Sequence, residues 1–308
     1  PQPRRERLAV AVVSMNDLLA RARRGGYALG YFESWDQHSL EAALEAAEEA
    51  ASPCILGIGA AVVSQPWLDG GGLEDLVTLA RHLAERAAVP TAVLFNEART
   101  FEQVLRALHA GCNAVMIDSS ELSLAENVAL NRRVVEAAHR LGASVEAELG
   151  HLANAGDAPD EAIRTDPAEA ARFVESTGVD ALAVSIGNVH LLNDGEAGVD
   201  LDLLERIHHA TPAPLVIHGG TGFPARAVRP ALERGVCKFN VGTRLKHAFL
   251  DGLREALAAL PEPVDPHRAV GSHMPGDVFA HAKARLKREI ATLMQQYGCA
   301  GQAMGWRP

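Results

Sequence analysis

His190 follows the apolar run ALAVSI, and His218 ends the apolar run APLVIH, with Gly219, Gly220, Thr221 and Gly222 directly behind it. Neutral imidazole is a common ligand for zinc and related divalent ions, and carboxylates work beside it. Carboxylates stand at the ends of other apolar runs: Glu33, Glu97, Asp118, Glu146 and Glu148. Bare backbone N–H groups in a glycine turn, with a helix starting behind them, suit an anion such as phosphate. A second turn of that kind, Asn240-Val241-Gly242-Thr243, closes the run CKFNVG. A cation cup beside an anion cradle is the chemistry these residue types suggest. Singly, each has an ordinary structural explanation, a packed histidine or a tight turn; their shared placement at the ends of apolar runs sets them apart.

Those runs are the elements that must position the site. YALGYF, CILGIG, TAVLFN, NAVMID, SVEAEL, ALAVSI, APLVIH and CKFNVG read as buried parallel strands, because most are apolar on both faces. Segments whose apolar residues return every three or four positions follow them, from SLEAALEAAEEAA after the first to LKHAFLDGLREALAAL after the last. Eight strand–helix units in one chain are the arithmetic of a TIM (β/α)8 barrel, whose active site lies at the C-terminal ends of the strands. A doubly wound sheet is the rival, and eight parallel strands exceed its usual size. No linker or composition break divides the chain, so residues 1–308 read as a single domain, with an extra helix near the start and a long C-terminal helix from about Asp277 to Tyr297.

Composition narrows the function classes. The 308 residues are 48% hydrophobic and 22% charged, enough apolar material for a full core. Lys and Arg number 29 against 39 Asp and Glu, a net charge of −10 with no basic run, which argues against a nucleic-acid groove. The cysteines Cys54, Cys112, Cys237 and Cys299 are widely spaced, which fits a reducing cytoplasm and neither a thiolate zinc site nor a disulfide framework. The opening PQPRRERLAVAVVSMND has a basic start but no small-residue cleavage pattern, and no apolar run reaches the ~20 residues of a membrane span, so a soluble intracellular protein is expected. Gly57-Ile58-Gly59 lacks the third glycine of a dinucleotide fingerprint and reads as a barrel turn. Gly70-Gly71-Gly72 reads as a flexible loop, and KARLKRE as a solvated helix face or a reach toward a neighbouring subunit.

The motifs GCNAVMIDSSELSLAENVALNRRVVEAAHRLGASVEAELG, TDPAEAARFVESTGVDALAVSIGNVH, PLVIHGGTG and KFNVGTR together resemble the class II, metal-dependent fructose-bisphosphate and tagatose-bisphosphate aldolases over nearly the whole chain. The resemblance implies a TIM barrel with a divalent ion, usually zinc, on three histidines. It implies a ketose phosphate held against the GG(S/T) turn and the NxxT segment, a carbon–carbon bond cleaved or formed through an enediolate, and a homo-oligomer, dimer or tetramer. By position, His190 and His218 match two of the zinc ligands. Gly219, Gly220, Thr221, Asn240 and Thr243 match substrate and phosphate contacts, with Val241 and Gly242 between them. Asp118 and Glu148 match carboxylates near a second or alternative metal position.

Three departures stand out. The family's Asp-His pair on the third strand, proton-transfer group and third zinc ligand, is here Asn96-Glu97; Arg244 stands where many relatives carry an acid; Leu191 replaces the glycine after the metal histidine. Asn96 cannot donate and accept a proton reversibly as Asp does. Glu97 can still ligate through oxygen, giving a His2Glu site, and lowers the ion's net charge, which leaves manganese, iron or cobalt open beside zinc. Glu33 or Glu148 could then supply the proton relay. The leading expectation is a divalent-metal-dependent aldolase-type lyase acting on a phosphorylated ketose or similar keto compound. A metal- and phospholigand-binding barrel with isomerase or hydrolase chemistry, and a non-catalytic aldolase-like subunit, remain open beside it.

Overall fold

Buried strands hydrogen-bond side by side until the ladder closes, and here eight do so. In the computed structural model, which describes residues 12–154 and 162–306, all neighbours are parallel and β8 pairs back onto β1. The strands are β1 (Leu29–Ser34), β2 (Cys54–Gly59), β3 (Thr91–Ala98), β4 (Ala114–Ile117), β5 (Ser144–Leu149), β6 (Ala181–Val184), β7 (Leu215–Ile217) and β8 (Val236–Val241). The expected runs are these strands with small shifts at their ends. At β7 the shift matters, because the strand stops at Ile217 and leaves His218 free to head the glycine turn.

Around the barrel lie α1 (Met15–Gly25), α2 (Gln37–Glu49), α3 (Gln65–Trp67), α4 (Leu73–Glu85), α5 (Phe101–Ala110) and α6 (Leu124–Arg140). They are followed by α7 (Pro167–Thr177), α8 (Leu201–Ala210), α9 (Ala225–Glu233), α10 (Thr243–Ala258), α11 (Pro266–Ala269) and α12 (Val278–Tyr297). Many start at a side chain that accepts the orphan N–H groups of the first turn, as at Ser14, Asp36, Thr100, Ser123, Asp166, Asp200 and Asp277. The extra early helix α1 sits at the N-terminal end of the barrel: Val12 bridges to Thr91, the first residue of β3, and the Asn16 N–H donates to Ser144 at the start of β5. The opposite end is left open for a site.

The long C-terminal helix, α12, starts as expected at the Asp277 cap and packs on α10 and α2. Lys283 pairs with Glu41 and Glu45, and Lys287 with Glu49, at 2.7 to 2.9 Å, so the lysines of KARLKRE are spent on α2 of the same chain. Gly70-Gly71-Gly72 is not a loop. Residues Leu68–Gly72 form a wide helical turn that runs from α3 into α4, with Gly71 supplying the one φ of +116° that the kink needs. No helix among the described residues is long and apolar enough to cross a membrane. The expectation about the opening PQPRRERLAVAVVSMND falls largely on residues 1–11, outside the described residues.

Candidate active site

A cavity of about 380 Å³ opens among the C-terminal strand ends, and every expected site residue except Gly220 lines it. Asn96 and Glu97 are consecutive, and in a regular strand they would face opposite sides. Register shifts between Phe95 and Ala98, and Glu97 takes φ +57°; this bulge turns Glu97 inward beside Asn96. A non-glycine residue in that region is strained by about 1–3 kcal/mol, a cost seen where function over-determines the backbone. Leu191, expected as the departure from glycine, likewise sits at φ +54°, the region that favours glycine.

Glu97, His190 and His218 converge: one ligand atom from each lies within 4.8 Å of the others. The two rings stack with centroids 5.6 Å apart. His190 Nε2 is buried without a partner, and burial, opposed by Glu97, drives its pKa down to about 4, leaving neutral imidazole. His218 Nδ1 lies 3.3 Å from Glu97 Oε1 and 3.4 Å from Glu148 Oε2 without making a hydrogen bond to either. Burial would strip His218 of charge, but Glu146, Glu97 and Glu148 around it win and push its pKa up to about 10. Burial would raise Glu97 too, yet His218, His190 and Arg99 hold its carboxyl at about 2. The point between these three side chains favours positive charge. Buried imidazole nitrogens without partners and an ionised carboxylate are a donor set that fits a divalent cation.

Behind this cluster lies a group the sequence reading placed only as a strand-end carboxylate. Glu146 is fully buried, accepts from His218 Nε2 at 2.9 Å, and accepts from Lys238 Nζ at 3.0 and 2.8 Å. Lys238, equally buried, also donates to Asn240 Oδ1 at 2.6 Å. Burial pulls the lysine pKa below its ordinary value, while Lys238 and His218 keep the Glu146 carboxyl below the usual range against burial. The chain Lys238–Glu146–His218 fixes one imidazole by its far nitrogen, the support that ligating histidines require. A lysine inside the run CKFNV was the available signal, since an inward charge in a barrel strand needs a partner.

The two glycine turns expected as anion cradles are joined to one another. Gly219 has φ +67°, and a Cβ there would stand 2.1 Å from the Val189 carbonyl oxygen, so only glycine makes this turn. Thr221 Oγ1 accepts from the Arg244 N–H at 3.1 Å, tying the first turn to the start of α10. Unlike the capped helices, α10 begins at Gly242 with no side-chain cap. Its first turn keeps positive potential facing the cavity. Arg244, the second departure, turns its guanidinium to Glu289 on α12.

Two expected carboxylates are otherwise engaged. Asp118 is not in the convergent group: Arg99 pairs with it, and Ser120 donates to its other oxygen at 2.8 Å. The arginine in reach neutralises the Asp118 charge in this arrangement, so its expected metal role has no support from the convergent group. Glu33 pairs with Lys246, and a Cβ on Gly242 would come within 2.0 Å of Glu33 Oε2, so this carboxyl packs against the second cradle. Glu148 is buried, and burial, eased by His218 and reinforced by Glu97, raises its pKa to about 7.

A family model described as fructose-bisphosphate aldolase class-II matches residues 13–302. The chain belongs to that family. Its relatives include the "Probable fructose-bisphosphate aldolase" of Bacillus subtilis (strain 168), 36% identical over 296 residues, covering 95% of this chain and 99% of that protein. The "Fructose-bisphosphate aldolase" of Geobacillus stearothermophilus is 36% identical over 298 residues, covering 96% and 99%. The crystal structure of the YdjI aldolase from Escherichia coli K12 superposes with TM-score 0.78 at 28% identity, covering 95% of this chain and 99% of that one. As a class II aldolase, the protein is a divalent-metal-dependent carbon–carbon lyase acting on phosphorylated sugars.

Proposed function

We propose that this class II aldolase cleaves and forms a ketose bisphosphate of the fructose or tagatose type, with its ion on Glu97, His190 and His218 in place of three histidines. The observation that carries the reading is the convergence of those three side chains within 4.8 Å beside the Gly219 turn. When bound, the ion supplies positive charge that polarises the ketone and stabilises the charge developing beside it. The Glu146–Lys238 pair orients His218, and the turn Gly219-Gly220-Thr221 together with Val241-Gly242-Thr243 grips phosphate through backbone N–H groups and the start of α10.

Proton transfer cannot rest on Asn96. Glu148 is the better relay of the two glutamates, because it faces the ligand cluster while Glu33 is tied to Lys246 and the second cradle. With one carboxylate among its ligands the site suits zinc, manganese, iron or cobalt, and zinc is the first choice. The buried free thiols of Cys54, Cys112, Cys237 and Cys299 support a reducing cytoplasm, and the family relationship supports a homo-oligomer. Retro-aldol cleavage of fructose and tagatose bisphosphates, assayed after chelation and reloading with each of the four metals, tests the reading. Turnover restored by at least one metal is the expected result, and no turnover with any of them would overturn it.

A further inference from the structure

The second glycine turn already faces a carboxylate. Glu33 stands near the end of β1 with its side chain mostly buried, and its two oxygens do different things. Oε1 accepts from Lys246 Nζ, while Oε2 lies where a side chain on residue 242 would be, 2.0 Å from the place of a Cβ. Lys246 belongs to the first turns of α10, and its N–H donates to the Gly242 carbonyl at 3.1 Å, so the cation and the glycine turn are fixed to each other. Its Nζ lies over the Trp35 ring, 5.7 Å from the centroid.

A helix start without a side-chain cap, with a lysine beside it, is a place for an anion. The other cation of this turn is committed elsewhere, because Arg244 is turned to Glu289. Glu33 meets both halves of the place at once, one oxygen against the turn and one on the cation, as two oxygens of a phosphate would. The match is incomplete. Asn240 is buried and lines the cavity; Lys238 Nζ fixes its Oδ1, and its Nδ2 has no partner. The flat carboxylate, with both oxygens already placed, leaves this donor unmet, whereas a tetrahedral phosphate brings a third oxygen. Burial, opposed by Lys246 and reinforced by Glu97, raises the Glu33 pKa, so the carboxylate is held here against its own desolvation. It has room to leave on the side of Gly59, where even a Cβ would stand 3.4 Å from the Glu33 carboxyl carbon.

We propose that Glu33 is a built-in competitor of the substrate phosphate: its carboxylate occupies Lys246 and the Gly242 turn while the site is free, and phosphate displaces it from both. This rests on the phosphate reading above, to which it adds the competitor and the cation. On binding, Lys246 Nζ passes from Glu33 to a phosphate oxygen, Asn240 Nδ2 gains an acceptor, and the carboxylate turns toward Gly59. The exchange sets specificity. A ligand carboxylate offers only what Glu33 already supplies from the same chain at high effective concentration. A phosphate dianion offers a second charge and a third oxygen, and so wins the cation.

Glu33→Gln keeps the shape and removes the charge. In the full chain, titrated calorimetrically both with and without manganese, it is expected to tighten the Kd for inorganic phosphate at least about fivefold, because a tethered competitor has gone. Lys246→Met is expected to weaken that Kd at least about tenfold, as for one lost charge-assisted bond. A crystal of the wild-type chain soaked in inorganic phosphate should show Glu33 turned off Gly242 and Lys246 Nζ on the ion, a readout that does not depend on how a variant folds. Phosphate bound at the Gly219 turn with Glu33 unmoved would overturn the proposal and leave the aldolase reading standing. So would a Kd that Glu33→Gln leaves unchanged or weakens in either state, or that Lys246→Met leaves unchanged. Wild-type protein that takes no phosphate at either turn would overturn the phosphate reading and the proposal with it.

Discussion

Lys238→Met isolates the buried pair that supports the site. The substitution is close in volume and removes only the ammonium, which donates at 3.0 and 2.8 Å to Glu146 and at 2.6 Å to Asn240, with both ionic partners fully buried. It leaves the Glu146 carboxylate with His218 alone. Removing one partner of a buried ion pair costs roughly 3–5 kcal/mol, because the other charge stays in low dielectric. With a urea slope of about 3 kcal/mol/M, the unfolding midpoint should fall by roughly 1–2 M. Glu146→Gln made alongside closes a double-mutant cycle. The double variant should be less damaged than the sum of the singles by about 2 kcal/mol, since each group is costly only without the other. A midpoint for Lys238→Met within about 0.3 M of wild type, or strict additivity, would refute the claim that this pair is a stabilised unit.

Other outcomes follow from single sites. Asp277→Ala removes two acceptor contacts to the first turn of α12 and two to Ser272 and His273 before it, and should cost about 0.5–2 kcal/mol at pH 7 by chemical denaturation. The Asp277 pKa is lowered by those bonds against its burial, so its contribution is present above an aspartate's ordinary value of about 4 and is lost as pH falls; the deficit of the variant should shrink in that acid window. Gly219→Ala places a Cβ 2.1 Å from a carbonyl oxygen at φ +67°, and should abolish the thermal shift given by inorganic phosphate while far-UV circular dichroism shows the barrel intact. Asn96→Asp returns a proton acceptor to β3, and retro-aldol kcat should rise by at least about tenfold; no gain would mean that proton transfer is already complete elsewhere in the site.

The barrel was legible because its strands are apolar on both faces and its helices carry their own start signals; Asp166, Pro167 and Gly178 around α7 are an instance. The gathering of Glu97, His190 and His218 beside the Gly219 and Gly242 turns was legible because polar residues at strand ends must face the barrel mouth. What stayed hidden depends on partners far away in sequence. Glu146 and Lys238 are separated by 92 residues, and nothing local to either names the other. Tyr31 reads as an ordinary strand aromatic until Gly57 and Gly59 on the next strand clear its path. The pairing of Asp118 with Arg99 was hidden for the same reason, since the arginine lies on the preceding strand–helix connection. Gly70-Gly71-Gly72 was misread because the composition of a loop and of a kinked helical turn is the same; only Gly71 uses a glycine's freedom.

The central claim is that one divalent ion is bonded to Glu97, His190 and His218. Anomalous diffraction from a crystal of the full chain soaked in manganese, collected near the absorption edge, tests it directly. The account predicts one strong peak at bonding distance from a Glu97 oxygen, His190 Nε2 and His218 Nδ1. A peak held instead by Asp118 or Glu33, or no peak in the barrel mouth, would contradict it.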